Sequence, residues 1–175
     1  MDFDITSEND KLGSDGCLDF TNAANAGLPD LWCDDEDACP FKTLYDSVYS
    51  ESMSRADYWI ASANAVITNA SPDQSYRLPF RWGREDRDIC SSSSARLPEP
   101  TGCSEVENTF INRMNVTWTD AVALLGAHTL GRGDADFSGH PGTWVQSDDE
   151  STIFDKGFYQ EVLNRGWRPR NDNDW

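Results

Sequence analysis

Apolar positions along this chain recur at helical spacings, and the sequence reads without a run of period-two strands. Pro40 suits the first turn of a helix covering Phe41 to Tyr49. Ser54 and Asp57 have the S-x-x-D form of a capping box. The helix behind it sets Trp59, Ala63, Val66 and Ile67 on one face. Ser71 to Ser94, with Pro72, Pro79, Gly83 and a serine run, is expected to be irregular. Ser104 and Glu107 form a second candidate box, followed by an apolar stripe of Val106, Phe110, Ile111 and Met114. Thr119 is the expected cap of DAVALLGAHTLG, which is apolar nearly all round and is therefore expected to be buried. Asp134 to Glu150 reads as a loop, and Phe154 to Leu163 as a last helix despite Gly157. The predicted class is mainly α, in one domain over residues 1–175.

Composition narrows the functions available. Fourteen basic against 31 acidic residues give a net charge of −17. Such a field disfavours a nucleic-acid groove and an anionic lipid surface. Seven Trp, eight Phe and five Tyr are too many for a solvated acidic tail. Apolar residues make up 38% of the chain, low enough that part of the core is expected to come from elsewhere. No run of 18 apolar residues occurs, so no membrane span is expected.

Cysteines and sequons point to export. Five cysteines occur without a C-x-x-C pair, which weakens a zinc or thioredoxin-like reading. Cys33 and Cys39 bracket the short loop CDDEDAC, and Cys90 and Cys103 bracket CSSSSARLPEPTGC. Each pair reads as a disulfide staple, with buried free thiols as the alternative. That leaves Cys17 over, and an odd cysteine in an exported chain suggests a partner in another segment. Asn69 and Asn115 head N-x-[ST] sequons and are candidate glycosylation sites. The expected location is extracellular.

His128 is the chief candidate for chemistry. It sits in the apolar helix beside Gly126, Ala127 and Gly131, small residues that let something large and flat approach. Haem iron is one partner for such an imidazole, and a satisfied core histidine is the alternative. Downstream, Asp134, Asp136, Ser138 and Gly139 resemble the start of an EF-hand loop, but its twelfth position is Val145 rather than Glu. His128 with Asp134, Asp136 and His140 is a second possible metal cluster. A Ser-His-Asp triad has no nucleophile-elbow motif to support it.

Several blocks then point one way. DAVALLGAHTLGR, Asp120 to Arg132, resembles the proximal-ligand signature of the plant, fungal and bacterial haem peroxidase superfamily. SRADYWIASANAVI, Ser54 to Ile67, is similar to its S-x-A-D-x-W helix, and PFRWGRED to its P-x-R-x-G-R-x-D segment. RLPEPTG, GSDGCLDF with NAGL, SGHPGTW, and FDKGFYQEVLNRGW resemble further blocks, in the same order, over about residues 13 to 167. Trp144 stands where the class I branch, that of ascorbate and cytochrome c peroxidases, has a tryptophan beside the proximal imidazole. The cysteines and sequons resemble secreted branches instead.

The resemblance implies a haem-peroxidase fold, haem b held by His128 with Trp144 packed against the ring, and hydrogen peroxide plus a reductant as substrates. It implies a potassium or calcium site at Thr129 and Asp155, to which Thr152 and the acidic stretch Ser147 to Glu150 can add oxygens. It also implies that Cys17 bonds to a cysteine upstream of Met1. Phe137 stands where ascorbate peroxidases place the arginine that contacts ascorbate, which argues against ascorbate at that edge.

Two motifs of the family do not occur in this sequence: the distal R-x-x-F/W-H-D helix, whose His moves a proton and whose Arg stabilises separating charge, and the turn carrying a proximal Asp. The expectation is therefore a middle portion of the domain, lacking the distal helix and the C-terminal proximal-Asp segment, completed by further segments or other chains. Two functions fit: a secreted, hydrogen-peroxide-dependent haem oxidoreductase, or a catalytically inactive peroxidase-fold protein serving as an acidic extracellular building block.

Overall fold

A computed structural model describes residues 13–33, 37–90, 102–138 and 141–164. They divide into two compact units, one within 1–64 and 79–121, the other within 65–78 and 122–175. Among the described residues the architecture is helical without a strand, the only extended pairing being a single bridge between Gly133 and Gly142. None of the described helices is long and apolar enough to cross a membrane.

In the first unit, helix α1 (Pro40–Leu44) opens on its proline and widens into a π turn over Tyr45–Tyr49, matching the expected helix. Its aromatic side gathers round buried Trp32, whose ring centroid lies 5.6 Å from both Phe41 and Tyr45 and 5.2 Å from Trp59. Cys33 and Cys39 are bonded beside this cluster, as the spacing predicts.

Helix α2 (Arg55–Ala70) starts as expected at Ser54, whose Oγ accepts the Asp57 N–H at 3.1 Å. The Asp57 carboxylate does not complete the box. It accepts the Gly83 N–H at 2.7 Å and Arg84 Nη1 at 2.7 Å instead. The free N–H groups of Arg55 and Ala56 are taken by Asp86, each at 2.8 Å. The buried positions are Ala56, Asp57 and Tyr58. The predicted face is not the core: Ala63 and Val66 are exposed, because the first turn, held by Asp86 and Asp57, is what packs inward.

The segment 71–90 is irregular, as expected, and 91–94 lies outside the described residues. The chain at 13–17 runs along its end: the Arg87 N–H donates to Asp15 O at 2.8 Å, and Arg87 Nε lies 3.8 Å from Asp15 Oδ2. This pairing corrects the expected cysteine scheme. It brings Cys17 within 5.3 Å of Cys90, Cα to Cα, and the two are bonded. Cys90 is therefore not joined to Cys103, which is free and exposed, and Cys17 has its partner within this chain.

Helix α3 (Cys103–Val106) continues as a π turn over Glu107–Arg113. Its cap is Gly102, without a side-chain bond, so the expected Ser104–Glu107 box does not form. The stripe is right: Phe110 is buried and Val106, Ile111 and Met114 are half-buried. Helix α4 (Trp118–Leu125) tightens into a 3₁₀ turn over Gly126–Thr129. Its cap is Thr117, not Thr119. Thr117 Oγ1 accepts the Asp120 N–H at 3.2 Å, and Asp120 Oδ2 accepts the Thr117 N–H at 3.1 Å, a complete capping box.

The second unit holds the 3₁₀ turn of α4, helix α5 (Ala135–Ser138), a 3₁₀ turn at Glu150–Thr152 and helix α6 (Gly157–Asn164). α6 begins at Gly157, three residues later than expected, because Asp155 Oδ1 accepts the Gly157 N–H at 2.7 Å and sets the start. The expected burial of DAVALLGAHTLG does not hold. Only Ala121, Gly126 and Thr129 are buried, while Val122 and Leu124 are 51% and 48% exposed.

Candidate functional site

The site is built on the 3₁₀ turn that ends α4. Tightening there turns His128 outward, and the side chain is exposed. Its Nδ1 lies 2.9 Å from Leu125 O, three residues back, so Nδ1 donates and Nε2 is the nitrogen left without a described partner. The ring is braced on two sides. Phe158 of α6 stacks on it, centroids 5.3 Å apart with planes at 25°, and Trp144 meets it edge-on at 5.3 Å and 88°. Trp144 thus packs against the imidazole as expected, but the stacked ring belongs to Phe158. Phe158 was not among the residues expected from the sequence at this site; its place in the first turn of α6 is the signal that could have found it.

Gly126 has a different role from the one expected. A Cβ there would overlap the Tyr159 hydroxyl, which donates to Val122 O at 2.9 Å. The space beside Gly126 is filled by a tyrosine from α6, and this ties the two helices together next to His128.

On the inner side, Thr129 is fully buried and its Oγ1 donates to Asp155 Oδ1 at 3.0 Å, with Ile153 O at 3.5 Å. The structure therefore brings together two of the three residues expected at a cation site. It leaves Thr152 out: that side chain is exposed and donates to Asp149 O at 2.7 Å, closing its own turn. In the acidic stretch, Ser147 Oγ accepts the Glu150 N–H at 3.2 Å and Asp148 pairs with Arg132 at 3.2 Å.

The described part of the EF-hand-like stretch shows no grouping of ligands around a metal position. Asp134 Oδ1 accepts the Asp136 N–H at 2.9 Å and begins α5, and Val145, the twelfth position, is buried at 7% exposure. No group of three His, Cys, Asp or Glu among the described residues is arranged to hold a metal. Gly139 and His140 lie outside the described residues. Phe137 is 49% exposed on α5, and Asn69 and Asn115 are both exposed.

The peroxidase family model matches residues 36–174. The chain is 34% identical over 120 residues to the mitochondrial cytochrome c peroxidase of Emericella nidulans, covering 67% of this chain and 31% of that protein. It is 33% identical over 149 residues to L-ascorbate peroxidase 3 of Arabidopsis thaliana, covering 83% of this chain and 45% of that protein. It is 30% identical over 148 residues to the cytosolic L-ascorbate peroxidase 1 of Oryza sativa subsp. indica, covering 83% of this chain and 53% of that protein. In each case the chain spans well under two thirds of the relative's length.

Proposed function

This chain belongs to the peroxidase family, its relatives being class I haem peroxidases, and from that premise we propose that it forms the proximal part of a hydrogen-peroxide-dependent oxidoreductase in which His128 holds haem iron. The observation that carries the reading is His128 itself: exposed, with Nδ1 bonded to Leu125 O and Nε2 bonded to no described residue. The residues fit the group. An imidazole with Nδ1 held and Nε2 open can take up an iron ligand's place, and the exposed apolar side chains of Val122, Leu124 and Trp144 suit a flat apolar macrocycle.

When bound, haem supplies the two-electron exchange with peroxide. The protein's own part is to hold and tune. The Leu125 carbonyl fixes the tautomer of His128, and Phe158 and Trp144 limit the ring's rotation. A carbonyl is a weaker acceptor than a carboxylate, so this nitrogen makes a less electron-rich ligand than an Asp-paired imidazole. Thr129 and Asp155 supply two oxygens for a potassium or calcium ion beside the ligand. The Cys17–Cys90 and Cys33–Cys39 bonds and the exposed sequons at Asn69 and Asn115 support an exported, glycosylated protein.

Haemin titration of the native protein tests the central reading. A Soret band that saturates at one equivalent and is lost or shifted in His128→Ala is expected. A band that is identical in His128→Ala overturns His128 as the ligand.

A further inference from the structure

The first unit concentrates side chains that give up an electron readily. Trp32, Trp59, Tyr45, Tyr49 and Tyr58 stand ring to ring, and they include three of the chain's five tyrosines. Ring centroids are 5.2 Å apart from Trp59 to Trp32, 6.3 Å from Trp32 to Tyr58 and 5.5 Å from Tyr58 to Tyr49. Electron tunnelling weakens exponentially with the gap, and centroid spacings of this size bring ring edges close to contact.

Packing alone does not account for how the three phenols differ. A tyrosine becomes a neutral radical only when its phenolic proton leaves with the electron. The Tyr58 hydroxyl donates to Phe41 O at 3.0 Å, and the Tyr45 hydroxyl to Met53 O at 3.3 Å. A carbonyl oxygen accepts a hydrogen bond but is too weak a base to keep the proton. Burial raises the pKa of both phenols, so neither ionises beforehand. Tyr49 is partly exposed and its hydroxyl donates to no described residue, which leaves water to take its proton. At the other end of the cluster, the Arg55 guanidinium carbon lies 6.0 Å from the Trp59 ring centroid. A fixed positive charge there disfavours a second one on the indole and biases an electron vacancy away from Trp59.

We propose that these rings form an electron relay in which Tyr49, acting through Tyr58, replaces an electron lost from Trp32 or Trp59. A diffusible one-electron oxidant, of the radical class formed when a reductant surrenders a single electron, takes an electron from an indole and leaves a radical cation. An electron then passes from Tyr49 by way of Tyr58 to Trp32, and onward to Trp59 when that ring was the one oxidised. The Tyr49 phenolic proton goes to water. The indole is restored, and a neutral tyrosyl radical remains at Tyr49. A small phenolic or enediol reductant gives back one electron, water gives back the proton, and Tyr49 is a phenol again. The relay spares the indoles from irreversible oxidation and moves the radical to a side chain that a reductant can reach.

Pulse radiolysis of the full chain with azide radicals, which oxidise tryptophan in preference to tyrosine, tests the relay. Transient difference absorption is expected to show indolyl radical decaying as tyrosyl radical rises, at a rate independent of protein concentration. A nitroso spin trap followed by peptide mapping is expected to place the adduct on Tyr49. Tyr49→Phe is expected to abolish this intramolecular phase, and so is the double variant Trp32→Phe/Trp59→Phe, which removes the donor indoles. Tyr45→Phe takes a phenol from the same cluster but not from the path, and is expected to leave the phase in place. No intramolecular phase in the parent protein overturns the relay. So does a phase that persists in Tyr49→Phe or in the double variant, or one that is lost equally in Tyr45→Phe. The readout does not depend on haem, so failure here leaves the reading of His128 untouched.

Discussion

Asp57 Oδ1 and Arg84 Nη1 lie 2.7 Å apart across 27 residues of sequence, and the same carboxylate accepts the Gly83 N–H. One buried acid thereby fastens the irregular segment to the first turn of α2. Burial pushes the carboxyl of Asp57 up, but the hydrogen bonds from Gly83 and Arg84 together with the Arg84 charge outweigh it and hold it below the usual carboxylate value. A lowered value stabilises the fold above the ordinary carboxylate pKa, and that stability is lost as pH falls through the folded value. Thermal melts are therefore expected to drop below about pH 4. Asp57→Asn, which leaves Arg84 half-satisfied, is expected to cost about 2–4 kcal/mol at pH 7 and to flatten that acid limb. An unchanged acid limb in the variant would show that other carboxylates govern it.

The Cys17–Cys90 bond closes a separation of 73 residues. Cross-links over loops of this length stabilise by about 4 kcal/mol in the chain-entropy account. Non-reducing peptide mapping is expected to find Cys17 with Cys90 and Cys33 with Cys39, and to leave Cys103 open to alkylation. A Cys90–Cys103 peptide would restore the scheme that loop spacing suggested.

Asp155 has a double duty, accepting from Thr129 Oγ1 and from the Gly157 N–H through one oxygen. Asp155→Ala removes both bonds and is expected to cost about 1–3 kcal/mol. Asp155→Asn keeps an acceptor oxygen but loses the charge. Melting with potassium or calcium chloride, against a choline chloride control, separates the two duties. A cation site predicts a wild-type rise in Tm that Asp155→Asn lacks; equal responses in both proteins would reduce Asp155 to a helix cap.

How much of this was legible in the sequence depends on the range of the forces involved. Local signals read well: Pro40 opening α1, Ser54 capping α2 and the Phe110 stripe all depend on neighbours within a turn or two. The Thr117–Asp120 box was equally local and was missed, because Thr119 stood closer to the apolar run. Long-range partners were not legible. Nothing near Asp57 shows that Gly83 and Arg84 will take its carboxylate, nor does the loop at 90–103 reveal that Asp15 draws Cys17 to Cys90. At the site, His128 and Trp144 came from motif resemblance, whereas Phe158 depended on where α6 begins, which Asp155 fixes. Burial of α4 was overestimated because an apolar sequence states a demand for partners, not their presence.

The contact between Gly126 and Tyr159 gives the most stringent test of the site's frame. A Cβ at position 126 would meet the hydroxyl, Cζ and Cε2 of Tyr159. Gly126→Ala raises helix propensity by up to about 1 kcal/mol, so on local grounds it should stabilise α4. The overlap reverses the sign, since overpacking costs about 1–3 kcal/mol. A net loss is expected, together with a shifted His128, because Tyr159 follows Phe158 on α6 and cannot move without disturbing the stacked ring. Tyr159→Phe alone loses the bond to Val122 O, a cost of about 1 kcal/mol. In the double variant the hydroxyl is gone, so the alanine is expected to cost less than it does alone, a favourable coupling of about 0.5–2 kcal/mol in a double-mutant cycle. Strict additivity of the two substitutions in chemical denaturation would mean that Gly126 and Tyr159 do not touch.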